Sequence, residues 1–82
     1  MGKLTPEAEI TDNAARAEAA YAAMYEAAAH NVKDHYEDAC LYLGRAVRRA
    51  VDLGLEADVE RLQKRLDDIT AVYNAQFRYV GR

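Results

Sequence analysis

The sequence has no serine and no tryptophan, one proline, one cysteine and four scattered glycines in 82 residues. Each scarcity closes off a class of protein. So few turn formers leave a many-stranded sheet without punctuation, and helices remain. The lone Cys40 cannot form an internal disulfide, and the absence of serine removes the commonest hydroxyl nucleophile. Gly2, Gly44, Gly54 and Gly81 stand apart, so no glycine-rich loop is available to cradle a phosphate. Charge-free stretches such as Ala19 to Tyr25 and Ile69 to Phe77 fall far below the roughly 20 residues that span a bilayer, and no membrane partner is expected. Eleven Lys and Arg against 14 Asp and Glu give a net charge of -3, which argues against nucleic acid as a partner. No basic start with an apolar signal core precedes the first helix, so a cytoplasmic location is the expectation.

What the sequence does have is alanine, which supplies 17 of 42 apolar residues and leaves 25 larger ones to build a core. A chain of this length fits a single helical domain, residues 1–82. Thr5, Pro6 and Glu7 carry the marks of a helix start: a capping hydroxyl, a proline in the first turn and an acid at the positive dipole end. Thr11-Asp12-Asn13 is a competing start. Ile10, Ala14, Ala17, Tyr21, Met24 and Ala28 then recur at helical spacing, predicting a first helix over 6–30 that stops at a left-handed Asn31.

Asp34 with Glu37 reads as a capping box opening a second helix over 34–53. Its apolar face is Tyr36, Ala39, Cys40, Leu43, Ala46, Val47 and Ala50, and Gly54 followed by Leu55 supplies the stop. The third helix, 56–80, carries the cleanest stripe: Leu55, Val59, Leu62, Leu66, Ile69, Tyr73 and, past a break at Gln76, Val80. Glu60 and Lys64 are spaced for an ion pair on its exposed face. Short connections favour antiparallel neighbours, so the expected fold is an all-α, up-down-up three-helix bundle. That topology gathers Tyr21, Tyr25, Tyr36, Tyr73 and Phe77 at one end and sets Leu53, Leu55, Val59 and Leu62 against Ile10, Ala14 and Ala17 at the other.

The stretch from Asp34 to Val47, with Tyr36, Ala39, Cys40, Leu43, Ala46 and Val47 in register, resembles the second helix of a tetratricopeptide-type hairpin. It is also similar to the middle helix of the microtubule-interacting-and-trafficking three-helix domain. The preceding helix departs from the repeat at Glu26, His30 and Asp34. Either resemblance implies a non-enzymatic module that docks a peptide in an interhelical groove.

Between His30 and Cys40 the chain gathers two histidines, three carboxylates and the thiol, the residue types a metal needs. Their spacing lacks the paired Glu-x-x-His arrangement of a di-iron bundle, and Cys40 falls on the apolar stripe, so no metal and no cofactor is expected. A His30 and His35 pair beside Asp34 could instead respond to pH near neutrality. Arg45, Arg48 and Arg49 could clamp an anion, or complement the helix C-terminus and pair with acids nearby. No nucleophile has a base in evident reach, and no catalytic residue or enzymatic activity is expected. Residues 1–32 carry the whole net charge, and the alanines there leave several faces of the first helix small enough for another helix to approach closely. Leu41 and Tyr42 add apolar area that the second helix's stripe does not use. The expected function is therefore a protein-protein interaction or structural module. It is expected to self-associate, with Ala19, Ala20, Ala23, Ala27, Leu41 and Tyr42 as the contact surface against a second copy or a partner helix. The alternative expectation is a small-ligand or metal-binding bundle with its site at the aromatic and histidine end.

Overall fold

The computed structural model describes residues 5–78. They form three antiparallel helices, α1 (Pro6–Glu26), α2 (Val32–Asp52) and α3 (Glu56–Val72), packed as an up-down-up bundle with no strand among the described residues. The start of α1 is the one its sequence marks. Thr5 is the N-cap and its Oγ1 accepts a hydrogen bond from the Ala8 N–H at 3.1 Å. Thr11 lies inside the helix and returns its hydroxyl to the Glu7 carbonyl, so the competing start is not used.

The corner between α1 and α2 differs from expectation. α1 ends at Glu26, not at His30, because Ala27 and Ala28 are extended (ψ 151° and 150°) and lead into a short 3₁₀ turn, Ala29–Asn31. Asn31 is not left-handed, and Ala28, expected on the buried stripe, is exposed. α2 begins at Val32 and not Asp34, with no side-chain cap; Asp34 sits in the first turn, where its charge favours the dipole. The capping box is not needed because the 3₁₀ turn runs straight into the helix. Asn31 N–H donates to the Ala28 carbonyl and Val32 N–H to the Ala29 carbonyl. Alanine propensity worth tenths of a kcal/mol yields here to the reversal that puts Met24 and Val32 inside.

At the other corner the expectation holds. Gly54 has φ +71°, Gly54 N–H donates to the Val51 carbonyl, and Leu55 N–H donates to the Ala50 carbonyl, the paired bonds of a Schellman stop. α3 gives way at Tyr73 to a π-helical turn, Tyr73–Phe77, closed by Arg78 N–H on the Tyr73 carbonyl. The expected continuation through Val80 lies outside the described residues.

Ile10, Ala17, Ala39, Leu43, Ala46, Ala50, Leu62 and Ile69 form the core cluster, and no polar side chain is buried with them. Its middle is alanine on both α1 and α2, so those two backbones approach closely along their length, while α3 meets α2 more lightly through Leu62 and Ile69. α1 and α3 are joined from outside. Arg65 donates to both carboxylate oxygens of Glu18 at 2.6 and 2.7 Å and lies 5.0 Å over the Tyr21 ring. On the outer face of α3, Lys64 meets Asp68 at 3.7 Å instead of the expected Glu60; both spacings are four residues and both pairs are solvated, so little energy separates them.

Candidate functional site

The six residues expected to form a contact surface do not share one environment. On α1, Ala19 is exposed and Ala23 and Ala27 are half-buried, whereas Ala20 packs against the core. Tyr42 is half-buried in the α1–α2 seam, with the Arg16 guanidinium 5.9 Å from its ring centroid and that of Arg45 5.6 Å away. Arg16 is held there by Asp12 at 2.9 Å; that hydrogen bond and charge, with a smaller contribution from Tyr42, raise its pKa further above its ordinary value. Tyr42 thus fastens the seam and shows only part of its ring. Leu41 is different: it stands 48% exposed on the outward face of α2, away from both neighbouring helices.

Leu41 is the centre of a face that the apolar stripes alone do not reveal. At about 100° per residue, Asp34, Leu41 and Arg48 fall on one line, with Asp38 and Arg45 along one flank and Glu37 and Gly44 along the other. All seven are exposed. Among the described residues Asp34, Glu37, Asp38 and Arg48 make no ion pair, and Arg45 is engaged only with the Tyr42 ring. Gly44 lies mid-helix, and a Cβ built on it would meet nothing within 4 Å. The seven-residue spacing of Asp34, Leu41 and Arg48, and a glycine inside a helix, were the available sequence signals for this face.

The three neighbouring arginines separate. Arg49 turns toward α1, its Nε 3.0 Å from a Glu9 carboxylate oxygen, while Arg45 and Arg48 remain on the outward side. The Arg49–Glu9 contact has ion-pair distance without hydrogen-bond alignment, which leaves the buried Nε–H unsatisfied. The basic cluster is thus split between the seam and the outer face.

At the aliphatic end Leu55, Val59 and Leu62 pack with Ile10, Ala14 and Ala17 as expected, whereas Leu53 is exposed; the expected aromatic end is also formed. Tyr36 and Tyr73 stack at 3.9 Å with planes 10° apart, Tyr25 sits edge-on to Phe77 at 5.0 Å, and Tyr21 edge-on to Tyr25 at 5.5 Å. The Tyr36 hydroxyl donates to Thr70 Oγ1 at 3.2 Å. The Thr70 hydroxyl, turned to donate, would favour the phenolate, but burial and the neighbouring Cys40 and Tyr73 outweigh it and the Tyr36 pKa is raised. The Tyr21 and Tyr25 hydroxyls share a hydrogen bond, which with partial burial raises Tyr21 as well. The rings at this end pack against one another. His30 is exposed and His35 half-buried, and among the described residues no three His, Cys, Asp or Glu side chains are grouped to hold a metal ion. An open groove of about 550 Å³ lies at the opposite end, at the α2–α3 corner, between Val51, Leu55, Val59 and the acids Glu56 and Glu60.

Among the described residues no helix is long and apolar enough to cross a membrane. No protein-family model matches the chain, nor does any curated protein or any solved structure.

Proposed function

We propose that this chain is a non-enzymatic, cytoplasmic interaction module that associates with itself, and that the outward face of α2 around Leu41, bordered by the α1–α2 seam, is where the contact is made. The observation that carries this reading is Gly44. Inside a helix glycine costs about 1 kcal/mol relative to alanine, and nothing within 4 Å of its Cβ position explains that cost inside the chain. A glycine there is useful if another backbone approaches, and Leu41, one turn away and 48% exposed, supplies the apolar knob such a contact needs.

The test is sedimentation over a wide range of concentration. The wild-type chain is expected to shift from monomer to dimer as concentration rises, and Leu41→Asp to remain monomeric with unchanged helicity by circular dichroism. A wild-type chain that stays monomeric throughout would overturn self-association, and a Leu41→Asp variant that dimerises as well as wild type would move the contact off this face. The groove at the α2–α3 corner is at the far end of the bundle from the aromatic cluster.

A further inference from the structure

The outward face of α2 is zoned. Before Leu41 it is acidic, at Asp34, Glu37 and Asp38, and in the turns after it basic, at Arg45 and Arg48, until Asp52 closes the helix; Leu41 and Gly44 lie between the acids and the arginines, and all of these residues are exposed. From this zoning, and resting on the self-association reading above, we infer that the occupant of the face is the α2 helix of a second copy, packed antiparallel about a two-fold axis that passes beside Leu41. Such an axis faces Leu41 with the Leu41 of the other copy. Seven residues away on either side, about 10 Å along the helix, it sets Asp34 opposite Arg48 of the second copy. A two-fold axis of this kind keeps each flank facing its own image, so Asp38 meets Arg45 on one flank and Glu37 lies beside Gly44 on the other. Four ion pairs result, two of each kind, and the missing side chain at Gly44 lets the backbones close over Leu41.

Charge decides the direction of the pairing. A parallel arrangement of the same faces would bring Asp34 against Asp34, Arg48 against Arg48 and, twice, Asp38 against Glu37, four unfavourable contacts in place of four favourable ones. The arginines are also ready for the role. Arg45 lies 5.6 Å over the Tyr42 ring, which restrains the guanidinium while leaving its edge free to donate, and Arg48 has no ion-pair partner among the described residues. Asp34, in the first turn of each α2, also complements the positive end of that helix's dipole.

The experiment uses two variants of the full chain, one with Asp34→Arg and Asp38→Arg, the other with Arg45→Glu and Arg48→Glu. In the antiparallel dimer each variant alone sets like charges against each other, and its self-association should weaken by at least about tenfold. An equimolar mixture restores opposite charges at every pair, so a heterodimer should form where neither variant dimerises alone. Raising the salt concentration should weaken the wild-type dimer. A second measurement does not depend on how well the reversed helices fold. Facing helices at 8–10 Å bring residues on a two-fold line to about the Cα separation a disulfide requires. Leu41→Cys in a Cys40→Ala background should therefore oxidise readily to a covalent dimer, and Ala19→Cys in the same background should not. If wild type dimerises but the mixture shows no preference and Leu41→Cys does not cross-link faster than Ala19→Cys, the antiparallel pairing is wrong while self-association stands. If wild type is monomeric at every concentration, both fall.

Discussion

Helix α2 has two faces built from different materials, and the contrast explains more of this molecule than any one element does. Its inner face presents Ala39, Leu43, Ala46 and Ala50, all 1% exposed or less, without a buried polar side chain. Small residues there bring α1 close and leave little room for error. The outer face presents acids before Leu41 and arginines after it, with Asp52 at the helix end, one large apolar side chain and a glycine. A face meant only for solvent has no need of Leu41, which stands 48% exposed, nor of a glycine that weakens the helix. The inner face is determined by volume and the outer by charge and access, so substitutions should have opposite consequences on the two.

The largest test of that contrast uses one chemical change at two positions two residues apart. Leu43→Ala, where the side chain is 1% exposed, should cost about 2–5 kcal/mol of unfolding free energy in urea, from lost transfer energy and the cavity left behind. Leu41→Ala, at concentrations where the chain is monomeric, should change stability by no more than about 0.5 kcal/mol. Equal losses would mean that Leu41 is part of the fold and not of a docking face. Next in size, Ala46→Leu adds volume where none is free and should cost about 1–3 kcal/mol; a neutral result would show that α1 can move away from α2. Gly54→Ala places a side chain at φ +71° and should cost about 1 kcal/mol through backbone strain alone, because nothing lies within 4 Å of its Cβ position. Gly44→Ala has the opposite sign. It should stabilise the monomer by about 0.5–1 kcal/mol and weaken association, and a variant that did neither would remove the reason for reading the outer face as a contact.

How far these faces could be read from the sequence depends on what kind of signal each left. The three helices, the Thr5 cap and the Gly54 stop were legible because they rest on local chemistry: a hydroxyl before a proline, a glycine after a periodic run. The aromatic end was legible from topology alone, since antiparallel order places Tyr21, Tyr25, Tyr36, Tyr73 and Phe77 together. The corner at Ala27–Asn31 was not. An alanine run carries no stop signal, and it is tertiary packing of Met24 and Val32 that ends α1 there. The π turn at Tyr73–Phe77 likewise left only a break in the stripe at Gln76. Of the candidate surface, Leu41 was readable as apolar area without a place in the stripe. Tyr42 was misleading in isolation, because its two arginine neighbours come from different helices, and the zoned charges become a face only once α1 and α3 are known to leave that side of α2 open.

The smallest predicted effect asks whether the inner face holds itself together or is held from outside. Glu18 and Arg65 join α1 to α3 around the side of α2, and the guanidinium's paired hydrogen bonds hold the Glu18 carboxyl below the usual carboxylate range, outweighing the opposing effect of burial. A carboxylate whose pKa is depressed on folding contributes stability at pH above its unfolded value, and that contribution disappears as pH falls through the folded one. The loss therefore belongs to the acid side of pH 4, and wild type and Glu18→Gln should converge there while differing at neutral pH. Both side chains remain well exposed, 38% for Arg65 and 47% for Glu18, so solvent screening limits the difference at neutral pH to about 0.5 kcal/mol, and less in high salt. Thermal unfolding of the two proteins across the acid range measures it. A difference several times larger would mean that the clasp, and not the alanine seam, keeps α1 and α3 in place on the inner face of α2.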